Sequence, residues 1–137
     1  MSALAQLTKA HDDILAAILK LEALTDRAEP DSAGLAMARW KLTQASRSRR
    51  RLLEDTVYPE IERRSLADRP EVHELRGADA GLIAASSQHI TTWDIDLIVK
   101  RWRDYRAASA GVIASMRERI GREKAVLYPL LMDTGAP

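Results

Sequence analysis

Two histidines lie on the apolar faces of predicted helices, where an imidazole is able to bind a ligand. His11 follows Leu7 and precedes Ile14 at spacings of three and four residues, and His89 shares a face with Leu82. An imidazole in such a position either forms structural hydrogen bonds or binds a ligand. By spacing alone, the structural role is the more frequent one for a single inward histidine.

The other residue types that carry catalysis form no recognisable pattern. The chain has no cysteine, which excludes a disulfide framework, a thiolate nucleophile and a thiolate metal site. No Ser-His-Asp arrangement, glycine-rich phosphate loop or cleft with paired carboxylates stands out. The third histidine, His73, lies in a short polar segment and is predicted to be on the surface. The sequence therefore favours a protein that is not an enzyme.

Charge and hydropathy argue against nucleic acid and membrane as partners. Lys and Arg number 21 against 20 Asp and Glu, which gives a net charge of +1. The one basic run, SRSRRR at 46–51, would spread around a helix and lacks interleaved aromatic residues, so we expect a solvated face. The apolar runs are too short to span a bilayer, and no signal peptide is recognisable. These features predict a cytoplasmic protein.

Helical periodicity runs through almost the whole chain of 137 residues, and no stretch alternates as a strand does. It predicts helix A before a loop at 28–34, helix B at about 34–66, a short helix at about 70–76, helix C at about 79–92 and helix D at about 95–131. Asp68 is the predicted N-cap of the short helix, and TTWDID forms the turn before helix D. We expect a single all-α domain over residues 1–137, an up-down-up-down four-helix bundle with a frayed TGAP end.

A Tyr-Pro pair occurs twice within the predicted helices. It stands in LEDTVYPEIERR at 53–64 and again in EKAVLYPLLMDT at 123–134. A proline inside a helix removes one backbone donor and clashes with the carbonyl four residues before it. We therefore expect kinks at equivalent heights in helices B and D. The repetition also indicates that helices A and B form one pair and helices C and D a second, similar pair.

Aromatic residues are few, and they concentrate near the predicted ends of the bundle. Trp40, Trp93, Trp102 and Tyr105 are expected to be packing anchors there. Trp102 and Tyr105 are three residues apart on one helix face. If that face is exposed, it is an alternative candidate for a dimer contact.

Taken together, these stretches resemble the hemerythrin-like domain family of the HHE cation-binding type. VYPEI and REKAVLYPLL resemble the latter part of the motif on the family's second and fourth helices. HDDILAAILKLE resembles the first helix around its histidine, and SSQHI resembles the third. The resemblance covers about residues 4–131. It implies a bundle of two helix pairs around two non-haem irons, which bind oxygen or nitric oxide or respond to iron and redox state.

The same family carries His-x-x-x-Glu-Glu upstream of the proline on its second and fourth helices, and this chain does not. Ten residues before Pro59 and Pro129 stand Arg49 and Arg119. Moving the register by one residue produces no His-x-x-x-Glu in either helix. Arginine stays protonated and has no lone pair to donate to a metal, and its charge opposes that of a cation beside it.

The resemblance thus leaves an incomplete ligand set of His11, His89, Glu123 and Glu54. Neutral imidazole and carboxylate suit iron, but this set is too small for an ordinary di-iron pair. We expect the two arginines to take the place of the metal. Their guanidinium groups would pair with Glu123 or Glu54 inside the bundle.

The resemblance and the missing ligands together imply a non-enzymatic hemerythrin-like protein with a degenerate or absent di-iron site. It would be a regulatory, sensory or interaction module without a cofactor. The alternative is a member that binds iron or another divalent cation through the four residual side chains, for oxygen, nitric oxide or iron and redox sensing. A plain scaffold is a third possibility. The expected partner is an unidentified protein or a second copy of the chain.

Overall fold

The computed structural model describes residues 1–132, and this part of the chain is helical, with no strand. The elements are α1 (Ala3–Thr25), α2 (Ser32–Leu52), a π-helical turn (Leu53–Val57), α3 (Tyr58–Arg63), α4 (Pro70–Gly77), α5 (Asp79–Thr92), α6 (Ile95–Lys100) and α7 (Trp102–Leu131). The all-α prediction is confirmed. The predicted frayed end at TGAP lies outside the described residues. Within residues 1–132, no helix has the length and apolar character needed to cross a membrane.

Short polar side chains fix where three of the helices begin. Ser2 caps α1, Asp31 caps α2 and Asp94 caps α6, each accepting a hydrogen bond from a backbone N–H in the first turn. The turn predicted at TTWDID is therefore confirmed. The predicted cap of α4 is wrong, because Arg69 and not Asp68 holds that position and no side chain caps the helix.

At the first Tyr-Pro stretch, the helical segment from Ser32 to Arg63 is continuous but changes its hydrogen-bonding pattern. The backbone widens into the π-helical turn, where the N–H of Tyr58 donates to the carbonyl of Leu53, five residues back. The turn ends just before Pro59, which has no N–H to give to an α-helical ladder. The helix then stops at Arg63, short of the predicted residue 66, and Ser65 adopts a left-handed φ of 60°.

The second Tyr-Pro stretch behaves differently. α7 remains α-helical through Pro129 and ends at Leu131, so the missing donor falls within its last turn. Predicted helix D is instead broken at its other end, where Arg101 separates α6 from α7. No glycine or proline marks this break in the sequence. The expected equivalence of helices B and D is therefore not kept in detail.

Two apolar clusters form the core. The Tyr105 cluster contains Ile14, Ile18, Leu21, Leu35, Ala38, Leu42, Ile98, Tyr105, Ile113 and Ile120. The Tyr58 cluster contains Leu7, Leu53, Val57, Tyr58, Ile61, Val72, Leu75, Leu127 and Leu131. Along α1 the chain passes from Leu7 of one cluster to Ile14 of the other, and His11 lies between them. Along α7, Glu123 lies between the clusters in the same way, so a polar layer separates them.

Two tryptophans pack around the buried ring of Tyr105. Tyr105 is fully buried, and its ring lies 5.5 Å from that of Trp93 and 6.0 Å from that of Trp102. The condition for a dimer contact through Trp102 and Tyr105 is therefore not met at Tyr105, which offers no surface to a partner. Trp40 is 59% exposed, so its predicted role as a packing anchor is also wrong.

Candidate functional site

Glu123 is a fully buried carboxylate in the middle of the polar layer. Its Oε1 accepts a hydrogen bond from His11 Nε2 at 2.8 Å. Its Oε2 accepts from a terminal guanidinium nitrogen of Arg49 at 3.0 Å and from Arg119 Nε at 2.8 Å. Both oxygens of one carboxylate are thus taken by protein donors, which is what a buried charge requires.

Three helices bring these groups together. α1 supplies His11, α2 supplies Arg49, and α7 supplies Arg119 and Glu123 one helical turn apart on the same face. The side chain of Arg119 is only 6% exposed and that of Arg49 is 16% exposed. The predicted pairing of both arginines with Glu123 is therefore found in the structure.

Arg119 also holds the beginning of α5. Its second terminal nitrogen donates to the carbonyl of Leu75 at 2.8 Å and to Oδ1 of Asp79, the first residue of that helix. Asp79 thus belongs to a network that we define as His11, Arg49, Asp79, Arg119, Glu123 and Tyr128 and call the Glu123 network. Nε and one terminal nitrogen of the guanidinium group thus donate to groups from two parts of the chain, as a planar fork can.

The surroundings shift the pKa values of the two carboxylates in opposite directions. Burial disfavours ionised Glu123, but the hydrogen bond from His11 and the charges of Arg49 and Arg119 outweigh it and hold its pKa below the ordinary range. For Asp79, burial outweighs the nearby Arg119 charge and raises the pKa. Ionised Glu123 is therefore favoured by folding, whereas ionised Asp79 is not.

This difference predicts how acid acts on the protein. A lowered pKa means that Glu123 stabilises the folded chain above its ordinary value of 4.5, and that this contribution is lost as the pH falls through the lower folded pKa. Glu123→Gln has no such titration. We expect the stability gap between wild type and Glu123→Gln to shrink below pH 4.5. Urea unfolding at a series of pH values measures the gap. The buffer contains sucrose, which stabilises folded proteins, so that the weaker variant starts out folded. A gap that stays constant into acid would contradict this assignment.

Tyr128 completes the shell of His11. Its hydroxyl lies 2.7 Å from His11 Nδ1, on the side of the ring opposite Glu123. A neutral ring with its proton on Nε2 satisfies both contacts, because it donates to Glu123 and accepts from the tyrosine hydroxyl. The second Tyr-Pro motif thus places its tyrosine against the predicted site histidine.

The tyrosines of the two motifs form a matched pair for mutation. Tyr128→Phe should lower the free energy of unfolding by about 0.5–1.5 kcal/mol, because the hydroxyl bonded to His11 is lost. Tyr58→Phe should cost nothing or stabilise slightly, since its buried hydroxyl has no hydrogen-bond partner in residues 1–132. Urea unfolding of both variants measures this, and a larger loss for Tyr58→Phe would reverse the assignment.

The other two predicted ligands lie away from Glu123. His89 is half-buried on α5, stacks on Tyr105 at 6.0 Å, and has its pKa lowered by burial and by Arg39. Glu54 is exposed and pairs with Arg76 at 3.3 Å. The expectation that Glu54 points into the bundle is therefore wrong, because its position in the π-helical turn places it outside. His73 is exposed, as predicted.

The donor atoms of the Glu123 network do not fit a di-iron pair. His11 Nε2 and one oxygen of Glu123 are hydrogen-bonded to each other, and the other oxygen faces two guanidinium groups. In the described part of the chain, no three His, Cys, Asp or Glu side chains converge as metal ligands do. Each guanidinium carries a permanent charge that opposes a cation beside it.

The sequence does not identify two members of the network as site residues. The place of Tyr128 in the repeated Tyr-Pro motif is a usable indication, whereas Asp79 is marked only by its position at the start of predicted helix C.

Comparison of the chain with family models, with curated proteins and with solved structures finds no match.

Proposed function

We propose that this protein is a hemerythrin-like four-helix bundle in which the Glu123 network takes the place of the di-iron site. In this assignment, α1 is helix A, α2 with the π-helical turn and α3 is helix B, α5 is helix C, and α6 with α7 is helix D. The helix order, the two Tyr-Pro stretches and the inward position of His11 support it. The finer up-down-up-down arrangement is part of this proposal.

The observation that carries the proposal is the complete set of protein donors around Glu123. A metal ion in a bundle neutralises the carboxylates that bind it and fixes the helices that supply them. Arg49 and Arg119 neutralise Glu123 permanently, and they connect α2, α7 and the start of α5 without any ion. The site histidine has become one more donor to the same carboxylate.

We infer from this arrangement a regulatory or sensory module that works by binding, and not by catalysis. Glu123 has a lowered pKa and is enclosed by cations, so it is poorly suited to take up a proton as a general base does. His11 uses both ring nitrogens in hydrogen bonds. The partner would be another protein, a second copy of the chain or a small effector.

Metal analysis tests this proposal. The protein should be purified without chelator from iron-supplemented cells and examined for metal content and visible absorption. We expect no stoichiometric metal and no charge-transfer band. Stoichiometric iron with such a band would overturn the proposal in favour of a bundle that binds iron through His11, His89, Glu123 and Glu54. Loss of that iron in a His11→Ala, His89→Ala double variant would then identify the ligands.

A further inference from the structure

A cleft of about 470 Å³ separates α5 from α2 and α7, beside the Glu123 network. α5 contributes no buried residue to the core. It is held at its first residue, where Asp79 meets Arg119, and near its end, where His89 stacks on Tyr105. These two contacts are ten residues apart, which corresponds to about 15 Å of helix. Between them, α5 stands away from the bundle.

The cleft exists because the helices present small side chains to one another. α7 lines it with Ala107, Ala108, Gly111 and Ser115, and α5 lines it with Ala85 and Ser86. Gly111 lies in the interior of a helix, where glycine is less stable than alanine by about 0.5–1 kcal/mol. A Cβ at Gly111 would meet nothing within 4 Å. Packing therefore does not require a glycine at position 111. The absence of a side chain there leaves space in the cleft.

The walls of the cleft are apolar along its length, and one end is cationic. Ile14, Leu82, Ile83, Val112 and Met116 are among the apolar lining residues. The size and the predominance of apolar residues are typical of small-molecule sites in proteins.

Charge is not balanced at the end of the cleft next to the network. Arg49, Arg50 and Arg119 line this end together with Asp79, and Glu123 lies behind them. Three guanidinium groups thus face two carboxylates. Arg50, which lines this end, forms no ion pair within residues 1–132. An anionic group bound here would meet a guanidinium group that has no carboxylate partner.

We propose that this cleft binds a small amphipathic anion, with a single carboxylate-type head at Arg49 and Arg50 and an unbranched apolar tail along α5 towards His89. The apolar walls account for the tail, the uncompensated guanidinium charge accounts for the head, and the space at Gly111 accounts for the fit. The proposal names the class of effector for the regulatory function, and it rests on that proposed function only for the role that binding has. Whether the anion binds does not depend on whether the Glu123 network takes the place of a metal site.

Calorimetric titration of the full chain with decanoate below its micellar concentration tests the site, and decan-1-ol is the neutral probe with the same tail. All buffers contain chelator, so that the result is separate from the metal analysis. We expect one decanoate to bind per chain, and we expect decan-1-ol to bind at least about tenfold more weakly than decanoate. Arg50→Gln should weaken decanoate binding by about tenfold and leave decan-1-ol unchanged.

Two glycine substitutions on α7 provide a matched steric test. Gly111→Phe fills the cleft and should weaken decanoate binding at least about tenfold. Gly121→Phe is the control, because Gly121 also has free space around a Cβ but does not line the cleft. It should bind as the wild type does. Absence of saturable decanoate binding by the wild type, equal binding by Gly111→Phe, or equal affinity for decan-1-ol would each overturn the proposal.

Discussion

Replacing Glu123 by glutamine is expected to lower the free energy of unfolding by about 3–5 kcal/mol at neutral pH. The substitution keeps the size of the side chain but removes the charge that faces Arg49 and Arg119. Both guanidinium groups then remain largely buried with less compensation, and His11 loses a carboxylate acceptor. Leaving buried charges without their partner accounts for the expected loss.

Glu118→Gln is the matched control for this variant, because Glu118 is an exposed glutamate on the same helix. Its effect should stay within about 0.5 kcal/mol. Urea unfolding followed by circular dichroism measures both variants. A loss from Glu123→Gln no larger than that from Glu118→Gln would mean that the buried pairing contributes nothing measurable.

Replacing Arg119 by methionine is the second large effect, with an expected loss of about 3–5 kcal/mol. Methionine keeps an unbranched apolar stem but removes every donor. Glu123 keeps His11 and Arg49, whereas the carbonyl of Leu75 and the carboxylate of Asp79 lose the donor that the structure gives them. The cost of unpaired buried acceptors adds to that of the broken ion pairs.

Arg122→Met removes an arginine from the same helix at an exposed position. Arg122 pairs with Glu74 at 3.0 Å, and both side chains are largely in solvent. Surface pairs of this kind contribute about 0–1 kcal/mol, so little should be lost. Equal stability losses in Arg119→Met and Arg122→Met would show that burial does not distinguish the two pairs.

In Arg119→Met, the amides of α5 should also become less protected from hydrogen exchange, since the first residue of this helix is released.

The helices could be predicted largely from the spacing of apolar residues. Helix C, α5, has the expected bounds, and Asp94 caps α6 from the predicted turn. The break at Arg101 could not be predicted, because neither glycine nor proline marks it. The irregularity before Pro59 follows from the missing proline donor, but the position and length of the π-helical turn depend on packing that the sequence does not express.

The sequence predicts only part of the candidate site, because some of its contacts lie within one helix and others join helices that are distant in the sequence. Arg119 and Glu123 are one turn apart on one helix, and their contact follows from helix geometry alone. The positions of Asp79 and Glu54 depend on contacts between helices that are distant in the sequence. Asp79 lies inside because α5 begins against Arg119, and Glu54 lies outside because the helix widens at that point. Single-helix periodicity carries no information about either placement.

We propose that guanidinium groups do for Glu123 what a bound metal would do in the family that the sequence resembles. The most direct measurement is the exchange with water of the side-chain Nε–H of Arg119, observed by nitrogen-15 NMR at neutral pH. We expect a resolved, slowly exchanging signal that is lost or exchanges fast in Glu123→Gln. A wild-type signal that exchanges as fast as that of an exposed arginine such as Arg122 would contradict this role for Arg119.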